Sequence, residues 1–300
     1  MILAASLARA ADLPSPETVH IDVVGAANTI AGQAFEQQAE KKQQQFKRSI
    51  HLLENIPEPH DHDAAHHALI ILGDAALNAI EHWPRGYDIL IAVHVSPSLF
   101  AKKQRLQPPD GTRISALFSG APIERQLRLA KLILPRAHQL IIPYRSEHQH
   151  LLDAMLTQDH ADIVLEPYLW EESADAIKTL QPLLRNTDAI LALNALGAIT
   201  PESIRGILLS AYRQGKPVIG MDAAYVRAGV LATTDTSLEQ YSLETERMIR
   251  QWLSDGHLPS ADYPRLFSVH INTRVAQSLN LVLPDEQSLT DRLLTQEAAP

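Results

Sequence analysis

The sequence has no cysteine in its 300 residues. Disulfide frameworks, thiolate zinc sites, iron–sulfur clusters and cysteine nucleophiles are thereby excluded. Positive charge is scarce: 26 Lys and Arg stand against 35 Asp and Glu, giving a net charge of −9 at pH 7. No basic stripe is left to follow a phosphate backbone, so nucleic acid is not an expected partner. No apolar stretch approaches the roughly 18 residues that a membrane-spanning helix needs, and the chain is not read as membrane-spanning. Catalytic signatures are missing as well. Gly25-Ala26-Ala27-Asn28 follows the first strand-like run without the G-x-G-x-x-G spacing, and there is no P-loop, H-E-x-x-H or G-x-S-x-G. The chain is read as a non-enzyme with no cofactor.

What is present is an ordinary globular composition, 45% hydrophobic and 20% charged. At about 150 residues per domain, the length suggests two compact domains. Short apolar runs bounded by turn residues predict strands over 19–24, 49–53, 68–72, 88–93, 113–118, 139–143, 162–165, 189–193 and 217–221, with a weaker one over 266–270. Between them, amphipathic spacing predicts helices over 29–46, 123–134, 146–157, 201–213, 238–254 and 273–279. Thr200 before Pro201 and Glu202 reads as a capped helix start. The alternation predicts right-handed βαβ units in doubly wound parallel sheets, and so many strands divide between two lobes. The chain is expected to cross between lobes near Ser119, Thr234 and Pro264.

The first residues carry Ala8, Arg9 and Ala10 behind a short apolar run, the small-residue pattern of signal-peptide cleavage. Residues 1–10 are read as the remnant of an export signal whose start lies further upstream, cleaved after Ala10. The alternative is a plain apolar N-terminus. The 14 histidines include a cluster, His60, His62, His66 and His67, interleaved with Asp61 and Asp63. Imidazole and carboxylate suit zinc, nickel or copper. The position between Pro59 and a strand starting at Ala68 favours an exposed polar loop with weak metal affinity, and these four histidines are kept only as weak metal candidates.

Open α/β sheets bind ligands outside the carboxyl ends of their strands, beside helix N-termini with unpaired N–H groups. Those ends carry Asn28, Asp74, His94, Ser96, Tyr144, Arg145, Asn194 and Asp222, which form the candidate ligand-binding set. Local capping competes with ligand binding at each of them, most plainly at Asp74 and Asp222, and Ser146 is expected to cap in the same way.

Several segments taken in order resemble a known family. Glu124-Arg125-Gln126-Leu127, then Leu134-Pro135, then Tyr144-Arg145-Ser146-Glu147 follow its helix, L-P and strand-end patterns. Val226, Gly229, Val230, Leu231 and Ala232 match its V-x-x-G-A-L-A segment, and Ile271, Asn272, Ala276, Leu279 and Pro284 its closing motif. The family is that of the ABC-transporter substrate-binding proteins, which includes the bacterial tryptophan- and tyrosine-binding lipoproteins. The resemblance implies α/β architecture with two doubly wound parallel-sheet lobes, like a type I periplasmic binding protein, joined by a hinge with several chain crossings. On this reading lobe 1 spans 13–118 with 234–262 returning to it, lobe 2 spans 119–233, a closing crossover spans 263–286, and 287–300 is a C-terminal tail.

The implied function is to close over a small organic solute, amino-acid-like or similar, and deliver it to an ABC permease in the inner membrane from a periplasmic location. Two alternatives stay open: a two-lobed sensory or interaction module, and a metal-binding protein built on the His60 to His67 cluster. Asp74 departs from the Thr or Ser of family members, and Asn194-Ala195-Leu196 lacks the acidic partner of their corresponding turn. The family's amino-acid substrate is therefore not carried over.

Overall fold

A computed structural model describes residues 19–25, 46–52, 65–157, 163–171 and 176–298, with 46–52 described by backbone alone. The expected signal remnant, Asn28, His60, His62 and nearly all of the expected helix 29–46 lie outside these residues. Phe46, placed at the end of that helix, instead opens a strand.

The first sheet contains β1 (Val19–Gly25), β2 (Phe46–Leu52), β3 (His66–Leu72), β4 (Ile89–Val95) and β5 (Arg113–Phe118). All are parallel, in the order β2-β1-β3-β4-β5. The second contains β6 (Gln139–Tyr144), β7 (Val164–Leu169), β8 (Ala189–Ala192), β9 (Val218–Gly220), β10 (Ala232–Asp235) and β11 (Ser268–Ile271). Their order is β7-β6-β8-β9-β10-β11, and only β11 runs antiparallel to its neighbour. The two sheets repeat one topology. Each starts with an inner strand, places the next on one side, and lays the following three on the other.

Helices cover both faces: α1 (Gly73–Ala79), α2 (Pro97–Lys103), α3 (Ile123–Ile133), α4 (Gln149–Leu156), α5 (Ala176–Leu184), α6 (Ile204–Arg213), α7 (Ala223–Ala228), α8 (Leu238–Asp255), α9 (Thr273–Ser278) and α10 (Glu286–Ala298). Burial explains the continuous apolar runs. Successive residues of a strand point to opposite faces. Ala68 and Ile70 of β3 join one core with Tyr241, Met248, Ile249 and Trp252 of α8, whereas Leu69 and Ile71 join another with Leu77 of α1 and Phe100 of α2. Each such side chain contributes about 1.5–3 kcal/mol on burial, so both faces must be apolar. Helix α8 has a clear start and stop: Ser237 and Gln240 form a reciprocal capping box, and Gly256 ends the helix at φ 71°.

The chain passes between sheets after β5, after β10 and before β11, because α8 packs on the first sheet and β11 belongs to the second. On its return, Asp262 pairs beside β5, donating to Ala116 O and accepting from Phe118 N, which covers that sheet edge.

Several sequence expectations change. His66 and His67 are not in a loop: β3 begins at His66, and pairing with Val19 and His20 of β1 outweighs their polarity. Strand β7 runs on to Leu169 through Pro167, tolerated because β7 is an edge strand. The helix expected from Pro201 starts at Ile204, after Thr200 and Ser203 exchange hydrogen bonds, Thr200 N to Ser203 Oγ at 2.9 Å and Ser203 N to Thr200 Oγ1 at 3.3 Å. Strand β10 was not anticipated. The expected tail is helix α10, whose Leu289 and Leu293 are fully buried. It is held because Glu286 Oε1 and Thr290 Oγ1 accept from Ile271 N and Val269 N of the edge strand β11.

Candidate functional site

In a doubly wound sheet the helices leave in opposite directions on either side of the first strand, which opens a crevice at the carboxyl ends there. These switch points fall between β1 and β3 in the first sheet and between β6 and β8 in the second. Asp74 follows β3, Tyr144 ends β6 with Arg145 next to it, and Asn194 follows β8. His94 and Ser96 lie one strand further out in the first sheet, and Asp222 in the second.

The first-sheet residues form one local arrangement. Asp74 was expected to cap α1 but lies inside its first turn, with Leu72 in the cap position. Its exposed carboxylate instead accepts from Ser96 N at 2.7 Å, tying the ends of β3 and β4 together. Ser96 precedes Pro97 at the start of α2 without a side-chain capping bond. His94 is the extra residue of a bulge between Val93 and Val95, and at φ 56° it turns its ring out of the sheet. There it meets Tyr241 edge-on, with ring centroids 5.3 Å apart. Bulges at strand ends re-aim side chains in this way, and a non-glycine residue at positive φ costs about 1–3 kcal/mol.

In the second sheet Tyr144 is half-buried, and its ring packs against the apolar core. Arg145 N donates to Leu196 O, joining the turns after β6 and β8, while Arg145 Nε meets Glu147 Oε1 at 3.1 Å. Ser146 does not cap: Arg145 takes the cap position, and a short 3-10 turn over Ser146–His148 precedes α4. The His148 ring lies over Gly197, at φ 65°, where a Cβ would come within 2.8 Å of His148 Nε2. Asn194 is exposed at the start of the turn after β8. Asp222 does cap its helix, accepting from Ala224 N at 2.8 Å and Tyr225 N at 3.4 Å.

Sequence reading missed Asp235, Tyr263 and Gln126 here, and placed Met221 at a strand end beside Asp222 without choosing it as a binding residue. Met221 follows Gly220 at the end of β9 and is the second-sheet counterpart of His94, with φ 63°. Asp235 ends β10. Burial first, then the Asp222 carboxylate, pushes its carboxyl group above the ordinary range against the pull of His270 and two backbone N–H groups. Tyr263 sits in the returning segment, where burial and then Glu124 and Asp262 raise its hydroxyl pKa and keep it protonated. Gln126 of α3 is buried beside them. A narrow cavity brings together Ser119, Gln126, Met155, Asn194, Met221 and Tyr263, where the ends of β8 and β9 meet the crossing segments. A wider, open hollow lined by Trp83, Tyr87, Asp88 and Asp110 lies at the amino ends of β4 and β5, the wrong end for strand-end chemistry.

No group of three or more His, Asp or Glu side chains that could hold a metal ion occurs among the described residues. His66 and His67 are neighbours in a strand and so face opposite sides of the sheet. His66 stacks edge-on against Trp252 at 4.9 Å, and His67 lies 6.1 Å from His20. No helix among the described residues is long and apolar enough to cross a membrane.

A family model described as ABC transporter substrate binding protein matches residues 101–291. No curated protein matches the chain. Among solved structures, a ligand-free, open substrate binding protein with adhesive properties from Clostridium difficile is similar, with TM-score 0.63 and 14% identity over 89% of this chain and 96% of that one. A conserved domain protein from Vibrio cholerae gives TM-score 0.54 and 18% identity over 92% and 98%. An ABC domain in complex with L-Trp from Streptococcus pneumonia gives 0.51 and 16% over 89% and 96%. At these identities the likeness is one of fold.

Proposed function

Since the chain belongs to the ABC transporter substrate-binding protein family, we propose that it closes over a small organic solute and passes it to an ABC permease outside the cytoplasm. The observation that carries this reading is the repeated topology, two sheets of one strand order, each with a switch point bearing polar residues at its strand ends. The solute would lie between those ends, with the two sheets as the lobes that move.

In this reading the first lobe, through Asn28, Asp74, His94 and Ser96, offers mostly acceptors. The second offers Arg145, whose planar guanidinium suits a carboxylate or another planar acceptor, with Tyr144, Asn194 and Asp222 around it. Asp74, Arg145 and Asp222 each already hold a local partner. Binding would exchange or share those bonds, so the lobes are held ready rather than idle.

The test is a thermal-shift panel of L-amino acids, nucleosides, sugars and small carboxylates, followed by calorimetry on Asp74→Ala, Arg145→Ala and Asp222→Ala. Loss of a charged hydrogen-bond partner in a closed cleft should weaken binding about tenfold or more. Small-angle scattering should show compaction with saturating solute. Parental affinity in all three variants, or no compaction, would overturn the cleft assignment.

A further inference from the structure

Between α9 and α10 the chain runs Leu279-Asn280-Leu281-Val282-Leu283-Pro284. Leu281 and Leu283 are half-buried and pack against the core of the second sheet. Val282 between them is 99% exposed, the most exposed of the large apolar side chains among the described residues. A single apolar residue on a surface is ordinary, but this one is not isolated. Toward α10, Ile271, Ala276, Leu281, Leu283 and Pro284 line an open hollow of about 570 Å³. Toward the end of α3, Ile133, Leu134, Pro135, Leu279 and Leu281 line another of about 360 Å³. Leu281 borders both, so Val282 stands on an apolar ridge between two apolar depressions.

The outward charges at the two hollows differ in sign. Asp285 and Glu286 border the first, held at the start of α10 because they accept from Ser288 N at 2.9 Å and Ile271 N at 2.7 Å. The exposed Arg136 borders the second. Asp188 is there too, but its Oδ2 accepts from His138 N and Gln139 N at 2.7 and 3.0 Å. Against the push of burial, these N–H groups and then Lys216 hold its carboxyl group below the ordinary range. Asp188 is thus already compensated, and Arg136 is the charge left facing outward. The face lies away from the strand ends where a solute would bind: Ala137, Asp188 and Pro217 of the second hollow precede β6, β8 and β9, and Ile271 of the first pairs with Ala232 at the start of β10.

An apolar ridge with an acidic border on one side and a basic border on the other is complementary to itself after a half-turn, which is the condition for a two-fold interface. An axis through Val282 sets that side chain against its own copy and brings Arg136 of each chain toward Asp285 and Glu286 of the other. We propose that this face joins two copies of the chain in an isologous dimer, back to back through the second sheets. Both sets of strand ends stay open to solvent in that arrangement.

Sedimentation velocity of the full chain over about 1–100 µM reads the association, the range suited to an interface of modest size. A dimer that grows with concentration is expected. Val282→Asp would set two carboxylates against each other at the axis and should weaken it about tenfold or more, with the circular dichroism spectrum unchanged because the site is exposed. Arg136→Glu should weaken it as well. Because the chain has no cysteine, single thiols report the geometry. A short bis-maleimide should join Val282→Cys chains to each other and leave Leu209→Cys chains apart, although Leu209 is 54% exposed. A monomer throughout the range overturns the proposal. So does a dimer that either charge variant leaves intact, or equal cross-linking through the two thiols. None of these outcomes depends on a solute, so they are separate from the test of the solute-binding reading.

Discussion

The buried ion pair between α3 and α10 gives the sharpest test of how the second sheet is held to the crossings. Arg125, 4% exposed, donates through Nε and Nη2 to the two carboxylate oxygens of Glu297 at 2.7 and 2.9 Å. Nη2 also reaches Pro264 O at 3.1 Å, and the guanidinium lies 4.0 Å from the Phe267 ring centroid. Truncating Glu297 to Ala leaves this cation buried without a counter-charge. Breaking such a pair from one side costs about 3–5 kcal/mol. Two effects pull the figure down. The Glu297 side chain is 23% exposed, so water can reach the site, and a carboxylate in the last turn of a helix opposes the helix dipole by about 0.3–1 kcal/mol. The expected loss is about 2–3 kcal/mol, or about 5–10 °C in melting temperature. Urea denaturation and calorimetry of Glu297→Ala measure it. The double variant Arg125→Met with Glu297→Leu removes both charges and should recover most of the loss, since apolar replacements of buried pairs are often neutral. A single variant within about 0.5 kcal/mol of the parent would refute the reasoning, because that is the scale of an ordinary surface change. So would a double variant no better than the single one.

Two further outcomes follow from the second sheet. Gly220→Ala should destabilise by about 3 kcal/mol or more in urea denaturation, since φ there is 110° and a Cβ would overlap Ala192 O and lie 3.0 Å from Ala192 C; parental stability would show that the strand ends can part. Asp235→Asn should melt higher than the parent at about pH 7, with the gap closing below about pH 4. Burial and Asp222 raise the folded-state value of Asp235, so its contribution is full below the unfolded value and lost as pH rises through the folded one. A gap that is independent of pH would contradict this.

Local pattern made most strands and helices legible because most of them bury apolar residues at regular spacing. What it missed was set by distant partners. Strand β10 is short, and the two threonines of Ala232–Asp235 read as a polar crossing, yet Thr233 and Thr234 are buried because β9 and β11 flank them. His66 and His67 look like loop residues until β1 pairs with them. Arg125 and Gln126 stood out only through a motif, and nothing nearby hints that Arg125 pairs with a residue 172 positions away. The candidate site divides in the same manner. Strand-end positions follow from the strands themselves, so Asp222 and Asn194 were accessible to reasoning. The left-handed corner at His94 depends on the bulge against β5, and its counterpart Met221 on Gly220 packed against Ala192, neither of which leaves a sequence signal.

The three crossings are not independent cables. The first and third are bonded through Phe118 N to Asp262 O at 2.9 Å, and the Phe118 and Tyr263 rings meet at 5.5 Å. The second is tied to the third by Thr236 Oγ1 donating to Leu266 O at 3.0 Å, and the helix it feeds is tied to the first by Tyr241 Oη donating to Phe118 O at 2.8 Å. Segments joined in this way must bend together or break buried bonds, each worth about 0.5–1.5 kcal/mol net and more if an unpaired group stays buried. Under the proposed closure, a turn of one sheet against the other would have to move all three crossings together. Gln126 of α3 joins the same place, its Nε2 donating to Thr234 O at 3.4 Å. Under that closure, a solute that reaches strand ends of both sheets only when they approach would favour the closed position by that difference in contacts, and the linked crossings would carry the turn as one unit.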